Sequence, residues 1–254
     1  QLSTVAFDYK RAYRESRCFL QPWQGPRAFR PECVDTGEGK LLLLWGDSHA
    51  AHLYPGLASS ARERGFRIAQ LTASACPPLR GHRATARPKC HAINEAALAA
   101  ARRLRPETVV LSAQWERYGA SLHRLRGTVA ELRTAGVAQV VVVGPSPTWP
   151  HGLAQALFHE VKRRGLDRFP RRVRHDLSAA PARAELRLRP LAHDLAVTYI
   201  SALDVLCDDE GCLARVEDRA DQLAFWDPSH FTAAGSAWFV DAVADDLLGG
   251  VVPG

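Results

Sequence analysis

Apolar residues gather in five short runs along this chain: Lys40 to Trp45, Arg67 to Leu71, Thr108 to Ser112, Ala138 to Val143 and Val197 to Ile200. Each is rich in leucine or β-branched residues, and continuous runs of this kind predict strands buried on both faces. Between and after them, apolar positions recur at helical spacing over Ala50 to Arg64, His91 to Leu104, Ser121 to Ala135, Ala180 to Leu195 and Ala233 to Leu248. Strand and helix therefore alternate.

Such alternation predicts an α/β chain, a three-layer α/β/α sandwich of flavodoxin-like type on a mainly parallel five-stranded sheet. Two stretches depart from it. Residues 1–39 carry aromatics, prolines and two cysteines without a clear period, and read as an irregular N-terminal extension pinned by a disulfide. The second departure, Pro145 to about Pro181, holds Pro145, Pro147, Pro150 and the basic run Phe169 to Arg174. It reads either as a substrate-holding loop at a strand end or as a surface excursion. No Gly/Ser-rich linker or internal repeat divides the remainder, so residues 40–254 are taken as one domain.

The six cysteines fall into close pairs, Cys18 with Cys33, Cys76 with Cys90 and Cys207 with Cys212. Sequential disulfides in an oxidising compartment are the expectation. Zinc is the weaker alternative, since only Cys207 and Cys212, and Cys90 beside His91, approach metal-ligand spacing; no metal or cofactor is expected. No apolar stretch reaches the roughly 18 residues of a membrane span, and the chain begins at Gln1 and contains no methionine. This suggests a processed protein or a domain cut from a longer precursor. Net charge is +6, with 33 basic and 27 acidic residues, most of the basic ones arginine. They are scattered over helical segments without a basic arm or interleaved aromatics, which argues against a nucleic-acid partner.

The chemistry concentrates at two places. Leu41 to Trp45 is followed directly by Gly46-Asp47-Ser48-His49-Ala50, so Ser48 sits on a tight turn at the carboxyl end of a strand, where open α/β sheets place their ligands. Near the other end, Asp227-Pro228-Ser229-His230 sets a carboxylate and an imidazole three residues apart. A serine hydroxyl needs a base within hydrogen-bond reach, so His230 is assigned as base and Asp227 as the acid that orients it. Asp47 and His49 are assigned to support, because an acidic residue before a helix more often bonds backbone amides. His52 follows one turn on. The oxyanion that attack creates requires donors: the Ser48 amide at the helix start, then Ser74 or Ala75 after the second strand and Gln114 or Trp115 after the third.

Gly46-Asp47-Ser48 with Asp227-x-x-His230 on an alternating chain resembles the SGNH (GDSL-like) hydrolase superfamily. Ser74-Ala75-Cys76-Pro77-Pro78, Val142-Val143-Gly144-Pro145 and the pair Cys207 and Cys212 extend the likeness to the SGNH domain fused to integral-membrane acyltransferases, from about Cys18 to Phe239. The resemblance implies a periplasmic or extracytoplasmic domain, tethered to the inner membrane in the full-length protein. It implies an acyl group, usually acetyl, received from a membrane acyltransferase domain of the same or a partner chain. An acyl-Ser48 intermediate then passes it to a hydroxyl of a cell-envelope carbohydrate such as lipopolysaccharide, peptidoglycan or an exopolysaccharide. The chain departs from the superfamily at two blocks: Ser74 or Ala75 stands where a glycine is usual, and Gln114-Trp115 where an asparagine is usual. Two alternatives follow, a stand-alone carbohydrate acetylesterase and a non-catalytic carbohydrate-binding module on the same fold.

Overall fold

The run Leu41-Leu42-Leu43-Leu44-Trp45 has no polar face, so a strand built from it needs apolar cover on both sides. The structure, a computed structural model that describes residues 7–217 and 222–248, places it in the middle of a sheet. The strands are β1 (Phe19–Leu20), β2 (Lys40–Gly46), β3 (Phe66–Ala73), β4 (Thr108–Ser112), β5 (Gln139–Val143), β6 (Arg172–Val173), β7 (Thr198–Ile200), β8 (Cys207–Asp208) and β9 (Gly211–Leu213). One sheet runs β1-β3-β2-β4-β5-β7 with every neighbour parallel. A second, small antiparallel sheet runs β6-β9-β8.

The helices are α1 (Tyr9–Ala12), α2 (Ser48–Ala51), α3 (Tyr54–Glu63), α4 (Cys90–Leu104), α5 (Leu125–Thr134), α6 (Leu153–Arg164), α7 (Ala180–Asp194), α8 (Ala202–Leu206), α9 (Ala233–Ala242) and α10 (Ala244–Leu248). Alternate residues of β2 feed two cores. Leu42 and Leu44 share one with Leu57 of α3, Leu157 of α6 and Phe239 of α9. Leu41, Leu43 and Trp45 share the other with Leu98 of α4, Leu132 of α5 and Leu188 of α7. This is the three-layer α/β/α sandwich that the alternation predicts. The order β3-β2-β4-β5-β7 is the flavodoxin-like one: the chain leaves β2 for one side and returns from β3 to the other, opening a crevice beyond the carboxyl end of β2.

The sheet has six strands where the pattern predicts five. The extra one, β1, comes from the segment read as irregular, and pairs Phe19 with Thr72 and Leu20 with Ala73. Two residues are too few to show a period. The stretch read as loop or excursion after Pro145 contains α6, whose buried stripe is Leu153, Ala156, Leu157 and Glu160. A glutamate hides that stripe from pattern reading; Arg163 and Arg164 satisfy it at 2.9 and 3.3 Å. The helix predicted from Ala50 to Arg64 is two, α2 and α3, with Pro55 restarting the second. The helix predicted from Ala233 breaks at Val243. Disulfides join Cys18 to Cys33, Cys76 to Cys90, and Cys207 to Cys212 across the β8–β9 register. Among the described residues no helix is long and apolar enough to cross a membrane.

Gly46 closes β2 against β4. A Cβ there would lie 1.8 Å from the Ser112 carbonyl oxygen, backbone that cannot rotate away. Gly46→Ala is expected to lose about 3 kcal/mol or more, as overpacking a closed site does; parental stability in a denaturant titration would contradict this contact.

Candidate active site

Asp47 caps α2, accepting from the His49 amide at 2.8 Å, and this turns the chain so that Ser48 opens the helix at the crevice. Gly46 lies in register with Thr72 of β3 and with Ser112 of β4, so the residues just beyond those two flank Ser48. The opposite wall comes from the end of the chain. Phe225 bridges Phe231 and closes residues 226–230 into a loop, while Thr232 caps α9 by accepting from the Gly235 amide and donating to the Leu223 carbonyl.

This loop brings together the three residues named from the sequence. Ser48 Oγ lies 2.8 Å from His230 Nε2, and His230 Nδ1 lies 2.7 Å from Asp227 Oδ2. The other carboxylate oxygen, Oδ1, accepts from the Ser229 and His230 amides at 2.9 and 2.7 Å. Burial pushes the Asp227 carboxyl up, but the His230 hydrogen bond and charge, with the two amides, more than offset it and hold it below its ordinary value. The carboxylate thus stays ionised. A serine, an imidazole and a carboxylate so linked can move a proton off Ser48 Oγ and steady the imidazolium that forms.

The loop is braced against the segment that carries Ser48 by side chains that pattern reading left in minor roles or did not single out. His49 Nε2 is hydrogen-bonded to Ser229 Oγ at 3.3 Å, and His52 Nδ1 accepts from the Phe231 amide at 3.3 Å. Both rings are buried. Burial pushes His49 well below its ordinary value, helped by the charges of His230 and Arg117, and does the same to His52, helped by His49 and His230. Tyr13, from the N-terminal segment, donates to the Phe231 carbonyl, and its oxygen accepts from Trp226 Nε1 at 2.9 Å. No local pattern marks Tyr13, since its partners lie more than 200 residues away.

Asp47 is a support residue in its contacts. Its oxygens accept from the His49 amide, from the Gln114 amide at 3.0 Å and from Tyr118 Oη at 3.1 Å. Burial holds its carboxyl above the ordinary value, and the same donors offset only part of that rise. Several expected oxyanion donors are already engaged. The Gln114 amide is spent on Asp47 and the Ser74 amide on the Leu20 carbonyl. Trp115 is a core residue whose amide donates to Ala113 and whose Nε1 donates to the Val143 carbonyl at 2.7 Å. Ala75 is exposed and holds φ at +51°, the left-handed region where a glycine is at home. Its segment is held by Arg87, whose Nε donates to the Ser74 carbonyl at 2.9 Å and whose Nη1 reaches the Pro22 and Gln24 carbonyls.

Two stability predictions follow from these contacts. A histidine pushed down in the folded state contributes stability that is present above its unfolded value, near 6.5, and is lost as pH falls. Unfolding free energy is therefore expected to drop below pH 6.5 by up to about 1.4 kcal/mol per pH unit for each of His49 and His52. Denaturant titrations from pH 8 to pH 5 test this, and a flat profile would contradict it. Asp47→Asn puts an amide NH₂ against amide or hydroxyl donors, and is expected to cost about 1–3 kcal/mol; an unchanged denaturation midpoint would contradict the donor assignment.

No curated protein matches the chain in sequence. Among solved structures, the periplasmic domain of the Salmonella ser. Paratyphi A lipopolysaccharide acetyltransferase superimposes with a TM-score of 0.82 at 22% identity, over 94% of each chain, a likeness of fold. Another solved structure covers 84% of this chain and 100% of its own at a TM-score of 0.48 and 12% identity, too loosely to carry weight. The family described as the SGNH domain fused to AT3 domains matches residues 17–245. With most of its length inside that match, the chain belongs to the SGNH domain family that is fused to AT3 domains.

Proposed function

We propose that this chain is the acyl-transferring domain of a carbohydrate O-acetyltransferase, residues 40–254 forming the catalytic domain and residues 1–39 its disulfide-pinned extension. The observation that carries this reading is the Ser48–His230–Asp227 chain of contacts at 2.8 and 2.7 Å. Ser48 Oγ attacks the carbonyl carbon of an acyl donor while His230 Nε2 takes its proton. His230 then protonates the departing group, leaving an acetyl ester on Ser48. An acceptor hydroxyl gives its proton to His230 and attacks that ester, and Ser48 leaves with the proton returned. Water in the acceptor's place makes the same site an esterase.

The oxyanion donors we assign are the amides of Ser48 and Ala75, which meet no acceptor among the described residues and flank the crevice by register. The Ser74 hydroxyl and the Gln114 side chain are secondary candidates at the same rim. Fusion to AT3 domains in the family supports a membrane acyltransferase domain, of this or a partner chain, as source of the acyl group. The three disulfides, together with a structural relative described as periplasmic, support an extracytoplasmic setting. The solved relative's action on lipopolysaccharide supports a cell-envelope carbohydrate as acceptor.

Hydrolysis of a small acetyl ester tests the assignment. Ser48→Ala is expected to fall to the uncatalysed background. His230→Ala should lose about 10²–10⁴-fold in kcat, the usual contribution of a positioned base. Parental turnover in Ser48→Ala would overturn the reading.

A further inference from the structure

The loop that carries the base also carries an indole for which the reaction steps have no use. Trp226 directly precedes Asp227, and its ring lies 6.1 Å from that of His230 at an interplanar angle of 30°. It keeps 36% of its surface exposed. An aromatic left open in water forgoes burial, yet this one is held firmly. Its amide donates to the His230 carbonyl at 3.1 Å, and its Nε1 donates to Tyr13 Oη at 2.9 Å. Tyr9 of α1 stacks on it at 4.6 Å and 4°, covering part of the indole. A fixed, half-open aromatic beside a catalytic imidazole is a ready surface for a ligand.

Its chemistry selects the kind of ligand. An aromatic ring has a negative face and a positive edge. A pyranose offers a patch of C–H groups, apolar and slightly positive, with hydroxyls around its rim, so it can bury carbon surface while its hydroxyls stay hydrated. A long acyl chain would require a continuous apolar trough, and here exposed Asp8 and Lys10 flank Tyr9 on either side in sequence. We propose that Trp226, backed by Tyr9, is the stacking platform for a pyranose ring of the acceptor, holding a ring hydroxyl beside the acyl group on Ser48. The inference rests on the reading of the chain as a carbohydrate acyltransferase. It gives the N-terminal segment a part in choosing the acceptor.

The six tryptophans each give one indole N–H resonance, so a two-dimensional ¹⁵N spectrum of the whole chain reads the platform directly. The probes are methyl α-pyranosides of glucose, galactose, mannose, rhamnose and N-acetylglucosamine, with the Trp226 resonance assigned from Trp226→Phe. At least one sugar is expected to shift the Trp226 resonance and leave that of Trp23, the more exposed indole at 69%, in place. Trp226→Ala and Tyr9→Ala should each bind that sugar about tenfold more weakly, the scale of a lost aromatic contact with its burial, and Trp226→Phe should retain most of the affinity. No shift with any of the five, or shifts at Trp23 equal to those at Trp226, would overturn the platform. Fluorophosphonate labelling of Ser48 in the same parent sample separates the two claims. Labelling without sugar contact removes the platform alone; absence of labelling removes the transferase reading beneath it.

Discussion

A single 2.8 Å contact between Ser48 Oγ and His230 Nε2 spans 182 residues of chain, and the whole proposed chemistry depends on keeping it. A hydrogen bond loses its value within a few tenths of an ångström, so both ends have to be fixed independently of each other. The serine end rests on Gly46, which alone fits against the Ser112 carbonyl, and on Asp47, whose carboxylate ties α2 to the loop after β4. The histidine end rests on a short loop that Asp227 holds from within. One carboxylate oxygen orients the imidazole while the other gathers two amides of the loop itself.

The two ends are then bolted together by buried histidines. His49 of α2 and His52 at its C-terminal end reach Ser229 and the Phe231 amide, on either side of His230. Burial favours the neutral form of both, and that suits the proposed reaction: a fixed positive charge beside His230 would oppose the imidazolium that the proposed proton transfer from Ser48 forms. The same two rings that brace the His230 loop therefore spare the proposed base a competing charge. The brace extends outwards through Tyr13, so the N-terminal segment helps set the geometry of the loop that carries His230.

Much of this was legible because its signals are local. The leucine and valine runs marked β2, β4 and β5, and the turn chemistry of Gly46-Asp47-Ser48 and Asp227-Pro228-Ser229-His230 marked the residues that the fold brings into contact. What escaped depends on distant partners. β1 is two residues long and exists through its pairing with β3; α6 carries Glu160 in its buried stripe, and only the arginines on the next turn make that tolerable. Tyr13 looks like any aromatic until Phe231 and Trp226 are beside it. Spacing names strand-end amides as candidate oxyanion donors without sorting them, since whether an amide is engaged depends on neighbours such as Leu20 and Asp47 that no spacing rule brings together.

The central claim is that Ser48 is an activated nucleophile in the folded chain. Intact-mass spectrometry after exposure to a small acetyl ester, with peptide mapping of the adduct, asks this directly. The account predicts one acetyl group per chain, located on Ser48 and absent from Ser48→Ala. Acetylation scattered over lysines and equal in both proteins, or no adduct on either, would contradict it.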